Sequence, residues 1–288
     1  MMIRKPAVAG SFYPEDRDEL ISLIENLFKS SRGPGNIPIV NMDGERRILG
    51  LISPHAGYIY SGEIAAHGFH GLAGDGLPET VILIGPNHTG MGGAISVYPG
   101  GYWETPLGRI KVNEELTNRL VNIEPYIILD DSAHIYEHSL EVQLPFLQYI
   151  YNTVGREFDI IPITMMHQTI DGVKILGEGL VKLLEDADLT KYILIASTDF
   201  SHYVYVDRAS KLDKIAINKI LNLDYDGLID SVYRYDITMC GYGPVATLLY
   251  VASRLATPKV ELLKYGHSGE VLGDESSVVA YASFIIHR

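Results

Sequence analysis

The 288-residue chain carries 36 acidic against 23 basic side chains, a formal charge of −13, so its surface as a whole repels phosphate backbones and nucleic acid is not an expected partner. Hydrophobic residues make up 47% and charged residues 20%, a balance that supplies a buried core and excludes extended disorder. The single cysteine, Cys240, rules out an intrachain disulfide and fits a reducing, cytoplasmic location.

The opening MMIRKPAVAGSFYPEDRDEL turns polar and acidic before an apolar run reaches signal-peptide length. No later stretch approaches ~18 uninterrupted apolar residues, so no membrane span is expected. Leu20, Leu23, Ile24, Leu27 and Phe28 then recur at helical spacing behind an acidic first turn, which predicts an amphipathic helix against a sheet. The following SSRGPGNIPIVNMDGERR lacks periodicity and reads as a mobile surface loop, too short to divide the chain.

Four short apolar runs follow, each ending in turn chemistry: ILGLIS before Pro54, TVILIG before Pro86, FDIIPITM before His167 and YILIAS before Thr198. Runs too apolar to alternate suit strands covered on both faces. Helices are expected from Ser61, from Asn113, over EHSLEVQLPFLQYI with Pro145 bending or interrupting it, over Asp171 to Glu185, over about Asp207 to Leu221, and over Pro244 to Leu255. GYWETPLGRIKV reads as a hairpin. VELLKYG and SVVAYASFII read as two strands joined by the Gly-rich HSGEVLGDES. The sum is a single α/β domain over residues 1–288, with a large sheet flanked by helices.

Ligands of open α/β sheets bind beyond the carboxyl ends of the strands. His55 follows the first run and His88 occupies the matching place after TVILIG. YILIAS runs into TDFSHY, where Asp199 and His202 are spaced to share one side of a helical turn. Cys240 precedes Gly241 and Pro244 at a helix entrance, where free N–H groups favour a thiolate. Taken singly, each histidine is more often a hydrogen-bonded structural residue and the cysteine a small core hydrophobe. Their shared strand-then-turn placement argues for one site. Glu137 and His138 begin a predicted helix, where Glu137 is either an anchor behind the site or a simple cap, with Glu141 and Gln143 weaker candidates. His67, His70, His134, His167, His267 and His287 read as structural or exposed.

These residues resemble the Memo family through nearly the whole chain: RKPAVAGSFYP, SPHAGYIYSG, LIGPNH, the WETPLG hairpin, EHSLEVQLPF, STDFSHY, MCGYGP and the closing DESSVVAYAS. The resemblance implies a mixed-sheet fold like that of the class III extradiol dioxygenases, which use non-haem iron to open catechol rings. It implies that His55, His88 and Cys240 match the metal triad, that His202 matches the acid and base histidine of the dioxygenases, and that Asp199 lies beside it. Those dioxygenases carry a carboxylate where this chain has Cys240, and a softer thiolate moves metal preference from iron(II) toward copper or zinc.

Two classes of function follow. One is a metal-dependent redox enzyme, dioxygenase-like, with iron(II) or copper, or a hydrolytic variant with zinc activating water. The other is a binding or adaptor protein that keeps the cleft for a peptide or small ligand without turnover. The family resemblance also implies a partner in a radical SAM pathway. The tyrosine-rich DSVYRYDITMCGYG reads as either interface or cleft wall, and oligomeric state is left open.

Overall fold

The computed structural model describes residues 2–43 and 45–288. In chain order the first half comprises β1 (Ile3–Arg4), α1 (Arg17–Lys29), β2 (Ile48–Ser53), α2 (Tyr58–Asp75), β3 (Thr80–Pro86), β4 (Ile95–Val97), β5 (Tyr102–Thr105), β6 (Gly108–Val112), α3 (Glu114–Ile123) and β7 (Ile128–Leu129). The second comprises α4 (Leu144–Thr153), β8 (Asp159–Met165), α5 (Ile170–Leu184), β9 (Tyr192–Ser197), β10 (His202–Val204), α6 (Val206–Leu221), α7 (Tyr225–Tyr235), α8 (Tyr242–Leu255), β11 (Lys259–His267), α9 (Gly269–Leu272) and β12 (Val278–His287).

All four apolar runs form strands, and they lie side by side in the order β8-β3-β9-β2, every pair parallel. β12 adds antiparallel to β2 and pairs with β11, while the β5–β6 hairpin extends the other side. The result is an α/β domain built on one large mixed sheet. Alternation sorts the side chains: Val81 and Leu83 of β3 with Ile193 and Ile195 of β9 pack under α1, α2 and α4. Ile82, Ile84, Leu194 and Ala196 face the opposite layer, where α3, α5, α6, α7 and α8 contribute the apolar side chains. Burial on both faces is why these strands read as continuous apolar runs rather than alternating ones.

Several local expectations change. α2 begins at Tyr58, one turn before Ser61, because Tyr58 is buried and its hydroxyl donates to the Val142 carbonyl. Pro145 neither bends nor interrupts a helix. It occupies the first turn of α4, where its missing N–H costs nothing, after a 3-10 turn over Glu141–Gln143. α7 was not anticipated: Asp224 caps it through the Gly227 N–H, and Leu228, Ile229 and Val232 bury its inner face. It takes up the DSVYRY half of the tyrosine-rich segment. The expected surface loop has no regular structure over residues 30–43, with Gly44 outside the described residues, and it is tied down by ion pairs from Arg32 to Glu63 and Glu270. Among the described residues, no helix is long and apolar enough to cross a membrane.

Candidate metal centre

β9 lies between β2 and β3, so the segments leaving all three parallel strands emerge together. His55 stands two residues beyond β2, His88 two beyond β3, and Asp199 two beyond β9. The turn entering α8 brings Cys240 over the end of β9, where the Asp199 N–H donates to Sγ at 3.2 Å and the Cys240 N–H to the Asp199 carbonyl at 3.3 Å. Ligand atoms of His55, His88 and Cys240 all lie within 4.8 Å of one another. His55 Nε2 is 3.3 Å from the sulfur.

The protons on both imidazoles are fixed by their partners. Ser197 spends its only hydroxyl proton on the Ser139 carbonyl at 2.7 Å, so it accepts from His55 Nδ1–H at 2.8 Å and from Gln143 Nε2 at 2.9 Å. Glu137 accepts from His88 Nδ1–H at 3.0 Å, from the His88 amide at 2.5 Å and from the Ser139 amide at 2.8 Å. Each ring therefore commits Nδ1–H to its brace and turns Nε2 away from it, the nitrogen a histidine offers a metal once that atom is unprotonated.

Burial, reinforced by His138, His88 and His202, holds His55 well below the usual imidazole range, so it is neutral. Burial opposes charge on Glu137, but its bonds to His88 and the His88 charge win and bring it down to about 2. The same pair raises His88 against the effect of its own burial.

Glu137 is thus an anchor rather than a cap; it lies ahead of the 3-10 turn, not at a helix start. His138 stacks on His88, with ring centroids 4.8 Å apart, and meets His55 edge-on at 5.5 Å. A second donor group, His88, Glu137 and His138, shares His88 with the first. Three N–H donors already occupy Glu137, which suits it to bracing. Gln143 also donates to the Pro54 carbonyl, securing the turn before His55. Glu141 lies further back, bound to Arg4 and to the amides of Ala7 and Val8.

Two expectations, one of geometry and one of charge, are corrected. Asp199 and His202 do not share a helical turn: residues 198–201 are irregular and His202 opens β10, which pairs with β12. His202 sits half-buried at the rim, outside the donor group, with its charge acting on both Asp199 and His55. Its Nδ1–H donates to the Thr238 carbonyl at 2.8 Å, which leaves Nε2 clear of that bond. The helix entrance does not lower the Cys240 thiol. Burial and the Asp199 charge push it up, so the thiol must give up a proton to become a ligand. Burial also carries Asp199 up to about 6, although it accepts the His55 amide at 2.8 Å.

Sequence reasoning missed Ser197, Thr238 and Gln168. Gln168 accepts from the Gly243 amide and donates to the Cys240 carbonyl, both at 2.9 Å, so it clamps the turn that presents the sulfur. The other histidines stay out of the cluster: His67 meets the Arg32 carbonyl, His70 meets Asn36, and His134 is fully buried elsewhere. A Cβ on Gly241 would lie 2.3 Å from the Ser197 carbonyl and 2.7 Å from Thr198 Cβ. Gly241→Ala is accordingly expected to push the Cys240 turn off β9. It should cost about 1–3 kcal/mol in urea unfolding and weaken metal binding, whereas Gly74→Ala, which meets nothing, should leave metal binding intact.

The fold and donor set define an α/β protein with a two-histidine, one-cysteine metal-type centre at the carboxyl ends of parallel strands. The family profile described as Memo-like protein matches residues 4–285. Proteins named as MEMO1 family members are similar over their full lengths: 45% identity in Ignicoccus hospitalis, covering 98% of each chain, and 46% in Methanobrevibacter smithii, covering 99% of each. A third, from Methanopyrus kandleri, is 44% identical and covers 100% of each. The chain belongs to the Memo family.

Proposed function

We propose that this chain is a metal-dependent oxidoreductase in which His55, His88 and Cys240 hold iron or copper and a small-molecule substrate is oxidised beside them. The observation that carries the reading is the convergence of two Nδ1-braced imidazoles and one sulfur, their ligand atoms within 4.8 Å of one another. Borderline nitrogen with soft sulfur suits copper, iron or zinc and disfavours magnesium or calcium. A redox metal bound there supplies electron transfer and Lewis-acid polarisation. The protein's own part is proton handling: His202 anchors through Nδ1 and leaves Nε2 for a proton, and Asp199, near 6, sits where a carboxyl exchanges protons close to neutral pH. The lone cysteine supports a reducing, cytoplasmic setting.

A binding role without turnover has one observation in its favour. Tyr203 and Tyr205, next to His202 at the rim, are 78% and 63% exposed, and such amphipathic side chains suit ligand capture. Elemental analysis of untagged protein separates the readings. Near-stoichiometric iron or copper is expected, and zinc would redirect the assignment to hydrolysis. Absence of metal after anaerobic reconstitution with iron(II), copper(I) and zinc would favour the binding role.

A further inference from the structure

The metal centre stands on a part of the chain remote from its ligands. We infer that Arg4 is a positioning residue for the centre, acting through the 134–137 segment; the inference rests on the metal reading above. Arg4 lies on β1 and is 3% exposed. Its guanidinium spans that segment: Nε donates to the His134 carbonyl at 3.0 Å, Nη2 to the Glu137 carbonyl at 2.5 Å, and Nη1 pairs with the Glu141 carboxylate. The plane rests on Trp103, 4.4 Å from the ring centroid.

The segment so gripped ends in the residue whose carboxylate fixes His88, and the next residue, His138, stacks on the His88 ring. The same N-terminal strap reaches the centre twice more. Phe12 packs on His138 at 4.8 Å, and its carbonyl accepts the Tyr58 amide at 2.8 Å, just past the His55 turn. A lysine has one compact charge and cannot reproduce three divergent donors in a plane, so the geometry depends on arginine itself.

The fold supplies its own control. Arg46 is buried in the same manner at the opposite end of the sheet, donating to the carbonyls of Gly76, Ile48, Thr190 and Tyr192. Ile48 begins β2 and Tyr192 begins β9, so a six-residue strand, about 20 Å, separates Arg46 from the ligands. Loss of fold stability alone therefore acts alike on both arginines, while positioning belongs to Arg4.

The test compares Arg4→Lys, Arg46→Lys and the milder Trp103→Phe, which shrinks the platform under the guanidinium and leaves all of its hydrogen bonds in place. Cobalt(II) affinity and its thiolate absorption band are measured on each, with Tm recorded in parallel. Imidazole ¹⁵N spectra of the metal-free proteins report whether His88 keeps its proton on Nδ1. Arg4→Lys is expected to weaken cobalt(II) binding roughly tenfold to a hundredfold and to shift the His88 spectrum, with Trp103→Phe moving both in the same direction by less. Arg46→Lys is expected to lower Tm and leave affinity and the His88 spectrum as in the parent. Should Arg4→Lys fail to fold, Trp103→Phe carries the comparison. Parent-like affinity and His88 spectrum in the Arg4 and Trp103 variants, or equal changes in Arg46→Lys, would overturn the inference. Failure of the parent protein to bind cobalt(II) would overturn the metal reading instead, and the metal-free His88 spectra would still decide the role of Arg4.

Discussion

Replacing Cys240 by serine is expected to abolish stoichiometric metal binding while leaving the protein folded. The sulfur touches His55 Nε2 and the Asp199 amide, and serine keeps an acceptor for that amide but loses the soft donor that complements two imidazoles. His55→Ala and His88→Ala should each do the same by removing one of the two nitrogens. The loss should exceed the roughly hundredfold that outer partners cost, whereas His67→Ala, outside the cluster and bound to the Arg32 carbonyl, should bind metal as the parent does. Equilibrium dialysis with elemental analysis reads all four variants. Equal retention in Cys240→Ser and His67→Ala would remove Cys240 from the ligand set.

A second large effect is expected from pH and His134. This ring is fully buried between Tyr98 and Trp103, and neither nitrogen has a hydrogen-bond partner. The nearby Ser96 carbonyl does not reach hydrogen-bonding geometry. Burial, then the charge of Arg4, brings it down to about 3. In the unfolded chain the imidazole takes up a proton near its usual 6.5, while in the fold it does not until far lower pH. The unfolded state therefore binds more protons between those values, and stability is complete above 6.5 and falls as pH drops toward 3. At pH 4.5 the loss is on the order of a few kcal/mol. His134→Phe keeps an aromatic ring, leaves no partner unpaired and removes the titration. Urea unfolding should find the variant gaining on the parent at pH 4.5 relative to pH 7.5. A constant difference at the two pH values would show that His134 does not titrate as its burial dictates.

The strands, the hairpin and the convergence of His55, His88 and Cys240 were legible in the sequence because each leaves a local mark. ILGLIS and YILIAS are apolar without alternation since both of their faces are covered, and His55 and His88 follow their strands at equal distance. What holds the ligands was not legible in the same way. Ser197 ends a strand and looks like any polar terminus; it becomes the partner of His55 only when β2 and β9 pair and the segment at Ser139 passes above them. Gln168 and Cys240 are far apart in the chain, and no pattern links them. The Cys240 thiol was misread for a related reason. A helix entrance is visible in MCGYGP, but the burial that overrides it comes from residues elsewhere. α7 is an element whose signals were present and passed over: Asp224 as cap, then Leu228, Ile229 and Val232 at helical spacing.

The sheet order also sets a timetable for assembly. β2 and β3 follow one another in the chain, yet they are not neighbours; β9, which begins at Tyr192, lies between them. Until that strand inserts, the sheet does not hold the turns bearing His55 and His88 at their final spacing, and Cys240 comes later still in synthesis. Contacts of such long sequence separation form late and slowly. A nascent or half-folded chain cannot trap a metal with a partial set of these three ligands in their native arrangement. On the proposed metal reading, loading is a property of the finished fold, and the appearance of bound metal during refolding should trail the recovery of helical signal.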